Sequence, residues 1–420
     1  MNKNRLEPLG VPNSDYDFGS EFEQQARRSE PGRLARWLVN QIRARLGESR
    51  VAITLWDEPD DKSAEATVRF NDPGALWQVL MNPGLHFGDL YSTGRITIHG
   101  ELLTVLDEAY RYVDNQKTKS RLLASARLIA PDLSESQENI HHHYDLGNDF
   151  YKLWLDHDWM QYTCAYYPEA GMTIEQAQAA KMHHIARKLR LKAGESVVEA
   201  GGGWGGLAVF MARHYGVKVR SFNISKEQIA FSREWAERES LSGLVEFVED
   251  DFRNISGTYD AFVSVGMLEH VGPGNYEKMG QLMSRVLTHE GRGLVHSIGR
   301  DRPGQLNQWI EQRIFPGAHP ATLREMMDLF ENSKLSVLDV ENIRLHYAET
   351  LRAWLARYEE NLDTVRQHFD EAFVRAWRFY LAGSITGFLR GNLQLFQIVF
   401  ARSGMNKIPA SRKHIYTDTE

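Results

Sequence analysis

Ser196-Val197-Val198-Glu199-Ala200-Gly201-Gly202-Gly203-Trp204-Gly205-Gly206 is the stretch that decides the fold. Val197 and Val198 read as the end of a buried strand, and Leu207, Phe210, Met211 and His214 then recur at helical spacing. The glycines therefore occupy a strand-to-helix turn. Glycine permits positive φ and lets a backbone approach a ligand with no Cβ in the way, which makes Gly201, Gly203 and Gly205 significant as a set. Pyrophosphate sites need Gly-x-Gly-x-x-Gly and have no use for a carboxylate; here the spacing is Glu-x-Gly-x-Gly-x-Gly, opened by Glu199. Taken alone, the stretch also reads as an ordinary tight turn of an α/β protein.

Working outward toward the C-terminus, strand-like runs fall at Ser196–Glu199, Val217–Phe222, Val245–Val248, Tyr259–Val265, Gly293–Ser297 and Leu335–Val340, with a late strand at Leu393–Phe400. Helical runs follow most of them, so the expected fold is α/β with a doubly wound sheet. Ligands of such sheets bind beyond the carboxyl ends of the strands. That rule selects Gly201–Gly205, Asn223–Ser225 with Gln228, Asp250–Phe252, Val265–His270 and Ser297–Gly299. Glu269, in Val-Gly-Met-Leu-Glu-His-Val-Gly, is a carboxylate where a strand releases its chain toward the ligand.

Toward the N-terminus the pattern is different. After a polar start, Pro31 and Gly32 open a helix whose expected core face is Leu34, Trp37, Leu38, Ile42 and Leu46. Arg33, Arg36, Arg43 and Arg45 decorate the rest, with Arg27, Arg28 and Arg50 nearby; a solvated basic face is a blander reading than lipid contact. Short strands at Val51–Trp56, Thr67–Phe70 and Arg95–His99, with helices at Ala75–Met81 and Leu102–Tyr110, predict a small mixed α+β domain over 1–113. The polar, Pro131-containing stretch 114–137 is the expected linker, 138–402 the main domain and 403–420 a polar tail.

At 420 residues two domains are the default, and 42% apolar with 25% charged residues is ordinary globular composition. A net charge of −7 gives no bulk attraction to nucleic acid or anionic lipid, so no nucleic-acid partner is expected. The single cysteine, Cys164, excludes an internal disulfide and fits a reducing compartment. No run of about 18 apolar residues is present. The chain is thus expected in the cytoplasm. His141, His142 and His143 are adjacent and point about 100° apart on a helix, so they do not converge on one ion; no metal is expected. The segment after them is dense in Tyr144, Phe150, Tyr151, Trp154, Trp159, Tyr162, Tyr166 and Tyr167, which read either as core or as the lining of an apolar or cationic ligand site.

The glycine stretch resembles motif I of S-adenosylmethionine-dependent methyltransferases, in which the turn cradles the methionine part of the cofactor and the acid meets its positive groups. Seven ordered stretches make the resemblance narrower. They are His143–Tyr151, Met160–Tyr166, Gly203–Gly206, Gly266–Gly272, His296–Gly299, His346–Leu351 and Gln394–Gln397. Together they are similar to the cyclopropane-fatty-acyl-phospholipid synthase family, which includes the mycolic acid cyclopropane synthases, from about residue 140 to 402. The resemblance implies a seven-stranded class I methyltransferase sheet, S-adenosylmethionine and a bound bicarbonate ion as cofactors, and methyl transfer to the double bond of an unsaturated acyl chain through a carbocation. Tyrosines with Trp309 or Trp354 would face that cation. Bicarbonate would be held by Cys164, Glu269, His296, Ile298 and Tyr347. For Cys164 and Ile298 a backbone or packing role reads equally well, and His296 reads equally as a satisfied core histidine.

Cofactor contacts transfer residue by residue. Tyr162 and Thr163 match the family's Tyr-Ser pair, and Gly201, Gly203 and Gly205 match motif I with Glu199 before them. Asn223-Ile224-Ser225 stands for the usual Thr-x-Ser; no acid is present there for the ribose, which leaves Asn223 or Gln228. Asp251 and Phe252 replace Asp-Tyr or Asp-Trp, and Val265 precedes the Gly-Met-Leu-Glu stretch. Gly202 stands where the family commonly has Cys, which should loosen the turn. The 1–113 region resembles the synthases only through Phe87-Gly88-Asp89-Leu90-Tyr91 and a following amphipathic helix, so its lipid-binding role is analogy. Expected partners are unsaturated phospholipid acyl chains at the inner membrane face, met as a peripheral protein, with a homodimer left open. Methylene- or methyl-branched products, a non-lipid small-molecule methyltransferase and a non-catalytic cofactor-binding regulator are the alternatives.

Overall fold

A computed structural model describes residues 30–117 and 146–416. The expectations placed on residues 1–29, on most of the linker, on His141–His143 and Tyr144, and on the last four residues fall outside the described residues. The described chain divides into two units, one comprising 1–125, 305–316 and 354–390, the other 126–304, 317–353 and 391–420. Two stretches of the expected 138–402 domain thus cluster with the N-terminal region.

In the first unit β1 (Val51–Leu55) pairs parallel with β2 (Ala66–Phe70), which pairs antiparallel with β3 (Ile96–Gly100). Val51, Leu55, Val68, Phe70 and Ile96 from these strands meet Val39, Ala75, Leu76, Leu90 and Val105 from the helices in one core. The helix Pro73–Met81 starts where Asp72 accepts the Ala75 N–H, and Arg95 holds the same carboxylate at 2.6 Å. The helix Arg33–Leu46 corrects the expected face. Leu34 and Trp37 are each 56% exposed, while Ala35, Leu38, Val39 and Ile42 pack on the core. The cause is tertiary. Arg43 reaches across to the Ile53 carbonyl at 2.9 Å and to Glu58, so the helix turns that flank inward. In the segment 354–390 Phe379 meets Phe87, Tyr91 and Trp309, and Trp309 and Arg313 both bond the Asp89 carboxylate.

The second unit is organised by one mixed sheet. Its strands are β4 (Ser196–Ala200), β5 (Lys218–Asn223), β6 (Val245–Glu249), β7 (Tyr259–Val265), β8 (Leu287–Arg300), the two-residue β9 (Ala321–Thr322), β10 (Leu335–Asn342) and β11 (Leu393–Arg402). The order is β10-β11-β8-β7-β4-β5-β6, with β9 beside β8. β4 to β8 run parallel, and β11 is antiparallel to both β8 and β10. Every strand of the expected doubly wound sheet is present; β8 begins six residues earlier than Gly293. The winding reverses between β4 and β7, and the glycine turn leaves β4 at that switch point, where α/β sheets open a crevice.

Burial on both faces explains the consecutive valines. Side chains alternate along a strand, so Val197 enters the core with Leu207, Phe210, Val219 and Trp235, and Val198 enters the opposite core with Phe222, Phe262, Met283 and Phe400. Each such burial contributes roughly 1.5–3 kcal/mol.

Candidate active site

The glycine turn takes the conformation its composition requires. Gly201, Gly203 and Gly205 have φ of +85°, +53° and +84°. The turn is stitched to β5, because the Gly201 and Gly202 N–H groups both donate to the Phe222 carbonyl, at 2.9 and 3.1 Å. A Cβ on Gly201 would press on Met267, and one on Gly205 would press on Phe247. At Gly203 it would meet no heavy atom within 4 Å, so open space lies against the backbone at the middle glycine alone of the three. Gly202 does not loosen the turn as its sequence position suggests. A side chain there would overlap Ser221 Oγ, and that hydroxyl donates to Glu199 at 2.6 Å. Ser221 therefore fills the place a larger residue would take. Burial pushes the Glu199 carboxyl up to about 7.

The end of β5 closes on the same turn. Asn223 Nδ2 donates to the Gly203 carbonyl at 3.1 Å and to Gln228 Oε1 at 2.8 Å. The Gln228 Nε2 atom is buried with no protein partner, a spare donor beside the turn. Ile224 follows Asn223 half-buried. After β6, Asp251 accepts the Arg253 N–H at 2.8 Å and so shapes a short 3₁₀ turn, while the Arg253 guanidinium lies 5.5 Å over the Phe252 ring. Val265 differs from the others, since its side chain belongs to the hydrophobic core.

An arch formed by residues 156–164 lies against the turn. Asp156 accepts the Trp159 and Gln161 N–H groups, both at 2.7 Å, and a Cβ on Gly206 would overlap the Trp159 carbonyl. Tyr162 packs between Tyr151 and Trp154 at 5.5 and 5.2 Å, and Tyr151 is 4.9 Å from Trp204 of the turn, so the aromatic segment forms a wall here. The Thr163 methyl meets Gly266, whose added Cβ would sit 2.8 Å from it. Cys164 is fully buried, its thiol donating to the Ala165 carbonyl at 3.1 Å, and burial pushes the thiol well above its usual value. It is a packed, neutral group. Two side chains the sequence reading passed over hold the arch. On the helix Ile174–Leu189, Gln178 Nε2 donates to the Thr163 carbonyl at 2.8 Å, and Lys181 Nζ donates to Gln161 Oε1 at 2.5 Å and Thr163 Oγ1 at 2.9 Å. Their signal was available. Lys181 lies seven residues after Ile174 and three after Gln178, in register with apolar positions of that helix, where a lysine has no solvent to reach.

Glu269 sits in a 3₁₀ turn just past β7, 5% exposed. Its Oε1 accepts the Ile298 N–H at 2.5 Å, and its carbonyl accepts from His319 N at 2.7 Å. The role of Ile298 in this contact is its backbone. His296, two residues back on β8 and hence on the same face, is buried and bonded through Nδ1 to Gln397 Nε2 at 3.1 Å. With the amide donating, the neutral imidazole carries its proton on Nε2. Burial holds His296 well below its ordinary pKa and pushes Glu269 up to about 7. Glu269 Oε2 and His296 Nε2 are both buried without a protein partner, one an acceptor and the other a donor. Tyr347, buried, lies on the helix Arg344–Glu360, which is zipped to the arch by Ala165 N to Thr350 Oγ1 and Tyr167 N to His346 Nδ1, each 3.0 Å.

Glu199, Gly201, Gly203, Gly205, Asn223, Gln228, Glu269 and His296 thus stand at or near the carboxyl ends of β4, β5, β7 and β8, Asp251 and Phe252 follow β6, Tyr162, Thr163 and Cys164 lie on the arch, and Tyr347 lies on the helix Arg344–Glu360. Trp309 and Trp354 belong instead to the first unit, and the Trp309 indole N–H is committed to Asp89 at 3.0 Å. The open space at Gly203 and the spare Gln228 donor fit a small cofactor laid along the turn. Glu269 Oε2, a buried acceptor, and His296 Nε2, a buried donor, are groups of the kind a small protonated oxyanion requires. Among the described residues no cluster of metal-ligating side chains occurs.

Comparison with known proteins shows the family of the chain. The model of the mycolic acid cyclopropane synthetase family matches residues 132–398. A probable fatty acid methyltransferase of Pseudomonas putida is 33% identical over 386 residues, covering 87% of this chain and 95% of that one. The cyclopropane-fatty-acyl-phospholipid synthase of Escherichia coli K12 is 33% identical over 357 residues, covering 83% and 91%. Among solved structures, the mycolic acid cyclopropane synthase CmaA1 complexed with SAH and CTAB superposes with a TM-score of 0.60 at 26% identity, covering 63% of this chain and 97% of that one.

Proposed function

The chain belongs to the mycolic acid cyclopropane synthetase family and is an S-adenosylmethionine-dependent methyltransferase acting on lipid acyl chains; from that premise we propose that it adds the methyl carbon across the double bond of an unsaturated phospholipid acyl chain and closes a cyclopropane ring. When bound, S-adenosylmethionine supplies an electrophilic methyl group and bicarbonate a base for the proton that ring closure must release. The single observation that carries the reading is Glu269, a buried carboxylate just past β7 whose Oε2 has no protein partner, with His296 Nε2 of β8 likewise buried and unpartnered.

In this reading the glycine turn, with Asn223 and Gln228, binds the cofactor. Phe252 offers a face to its adenine, and Tyr162 with Thr163 closes the turn from the arch. Glu269 accepts the O–H of the base and His296 and Tyr347 donate to its oxygens, which orients it and keeps its free lone pair toward the substrate. Gln397 keeps the His296 proton on Nε2. The tyrosine and tryptophan wall excludes water and presents π-faces to developing positive charge.

The first unit supports contact with a lipid surface. Its helix Arg33–Leu46 exposes Leu34 and Trp37 beside the exposed Arg33, a combination of apolar and cationic groups suited to an anionic surface, while Arg36 is paired with Asp57. No described helix is long and apolar enough to cross a membrane. We place the reaction at the cytoplasmic leaflet.

The test is incubation of the protein with methyl-labelled S-adenosylmethionine and vesicles of unsaturated phospholipid, followed by mass spectrometry of the acyl chains. A chain heavier by one CH2 that resists ozonolysis is the expected product. An ozone-sensitive product of the same mass would instead indicate a methylene-branched acid, and an ozone-resistant product two hydrogens heavier a saturated methyl-branched acid. Labelling of small polar acceptors with none in lipid would exclude all three.

A further inference from the structure

Lys181 is fully buried, far from any water that could hydrate its ammonium group. A buried ammonium costs several kcal/mol unless charge and hydrogen bonds compensate it. Two of its donors are committed, to Gln161 Oε1 at 2.5 Å and Thr163 Oγ1 at 2.9 Å. Gln161 links it to Asp156, whose carboxylate accepts the Gln161 N–H at 2.7 Å. The carboxylates of Asp156 and Glu199 act on it through space, and its bond to Thr163, whose methyl lies against Gly266, ties it to the arch where the arch meets the end of β7.

The chemistry at Thr163 follows from counting donors. A threonine hydroxyl has one proton and two lone pairs. Lys181 has no acceptor, so the bond between them uses a Thr163 lone pair and leaves the hydroxyl proton for another partner. The rotamer is fixed from the other side, because the Thr163 methyl lies against Gly266. The hydroxyl is therefore held as a donor on the arch, beside the chain as it leaves β7. In the methionine half of S-adenosylmethionine the ammonium donates and the sulfonium does neither, so the carboxylate is the sole acceptor.

We propose that Lys181 is a positioning residue for cofactor recognition: it locks Thr163 as a hydrogen-bond donor to the cofactor's carboxylate and supplies positive charge that offsets that carboxylate in a region that already holds the buried carboxyl groups of Asp156 and Glu199. The inference rests on the reading that the chain binds S-adenosylmethionine through this turn. It assigns the lysine no contact with the reacting atoms. Burial draws Lys181 down to about 8, so near neutral pH it carries its charge.

The experiment is a double-mutant cycle read by titration calorimetry, with Lys181→Met, Thr163→Val and the pair, each against S-adenosylmethionine and its decarboxylated analogue. Circular dichroism and thermal unfolding establish that each variant is folded. Each single change is expected to weaken S-adenosylmethionine binding about tenfold or more, and the double variant to bind no more than about threefold worse than the weaker single, because one donor is lost either way. Affinity for the decarboxylated analogue should change less than threefold in all three. Thr163→Ser, which keeps the hydroxyl, should restore binding. Additive losses, equal losses for both ligands, or unchanged affinity in folded Lys181→Met would overturn the assignment. If Lys181→Met does not fold, Lys181→Gln replaces it in the same cycle, and the same outcomes decide. Failure of the wild-type protein to bind S-adenosylmethionine would defeat the underlying reading instead, which separates the two.

Discussion

Replacing Glu269 with glutamine should make the protein more stable and less active at once. The carboxyl is 5% exposed, its Oε2 has no protein partner, and burial raises it from 4.5 to about 7. An acid whose folded pKa lies above its unfolded value binds its proton more tightly in the native state. Stability from this group is then complete below about pH 4.5, falls as pH rises toward 7, and is level above that. The shift corresponds to roughly 3 kcal/mol, the cost of holding this ionised carboxylate inside the apo protein at pH 8. Glutamine keeps the acceptor for the Ile298 N–H and removes the charge. Denaturant unfolding of Glu269→Gln should therefore show a gain of up to about 3 kcal/mol at pH 8 that shrinks to under about 1 kcal/mol near pH 5. Calorimetry should show S-adenosylmethionine affinity unchanged within about twofold, while turnover on vesicles falls by about 10²-fold, as expected when a group that positions a proton acceptor is lost. Glu269→Gln that is less stable than wild type at pH 8, or that turns over at the wild-type rate, would refute the reasoning.

Gly203→Val should abolish measurable S-adenosylmethionine binding in a folded protein, because φ of +53° and open space beside the residue send the new side chain toward the ligand; the strained backbone adds about 1–2 kcal/mol of destabilisation. Unchanged calorimetric affinity would remove the turn from the cofactor site. In the first unit, Asp89→Ala strands the Trp309 indole and the Arg313 guanidinium, which bond its carboxylate at 3.0 Å each, and should cost about 3 kcal/mol. A loss below about 1 kcal/mol in denaturant unfolding would show that these groups find other partners.

The sheet and the turn were legible in the sequence because both are local. Val197 and Val198 enter opposite cores, so a strand buried on both faces has to read as a continuous apolar run. The positive φ values at Gly201, Gly203 and Gly205 are ones that only glycine adopts without strain, so composition marked the turn. Glu269 was legible for a similar reason, standing one short step past the end of a recognisable strand.

Other features depended on which residues meet across the chain. The helix Arg33–Leu46 has apolar residues on more than one flank; of the expected face Leu38 and Ile42 pack on the core, whereas Leu34 and Trp37 are exposed and Ala35 and Val39 go inward, with Arg43 reaching Ile53 and Glu58. Gly202 looked like a loss of bulk until Ser221, nineteen positions later on the neighbouring strand, was seen to fill the space. The partner of the Trp309 indole N–H, Asp89, lies 220 positions away, beyond any local reading. Lys181 is the clearest case. Its register among apolar helix positions marks the burial, but nothing within a few residues can repay the burial of its charge. Its hydrogen-bond partners, Gln161 and Thr163, come from an arch about twenty residues upstream, and only the folded chain brings those acceptors to the ammonium group.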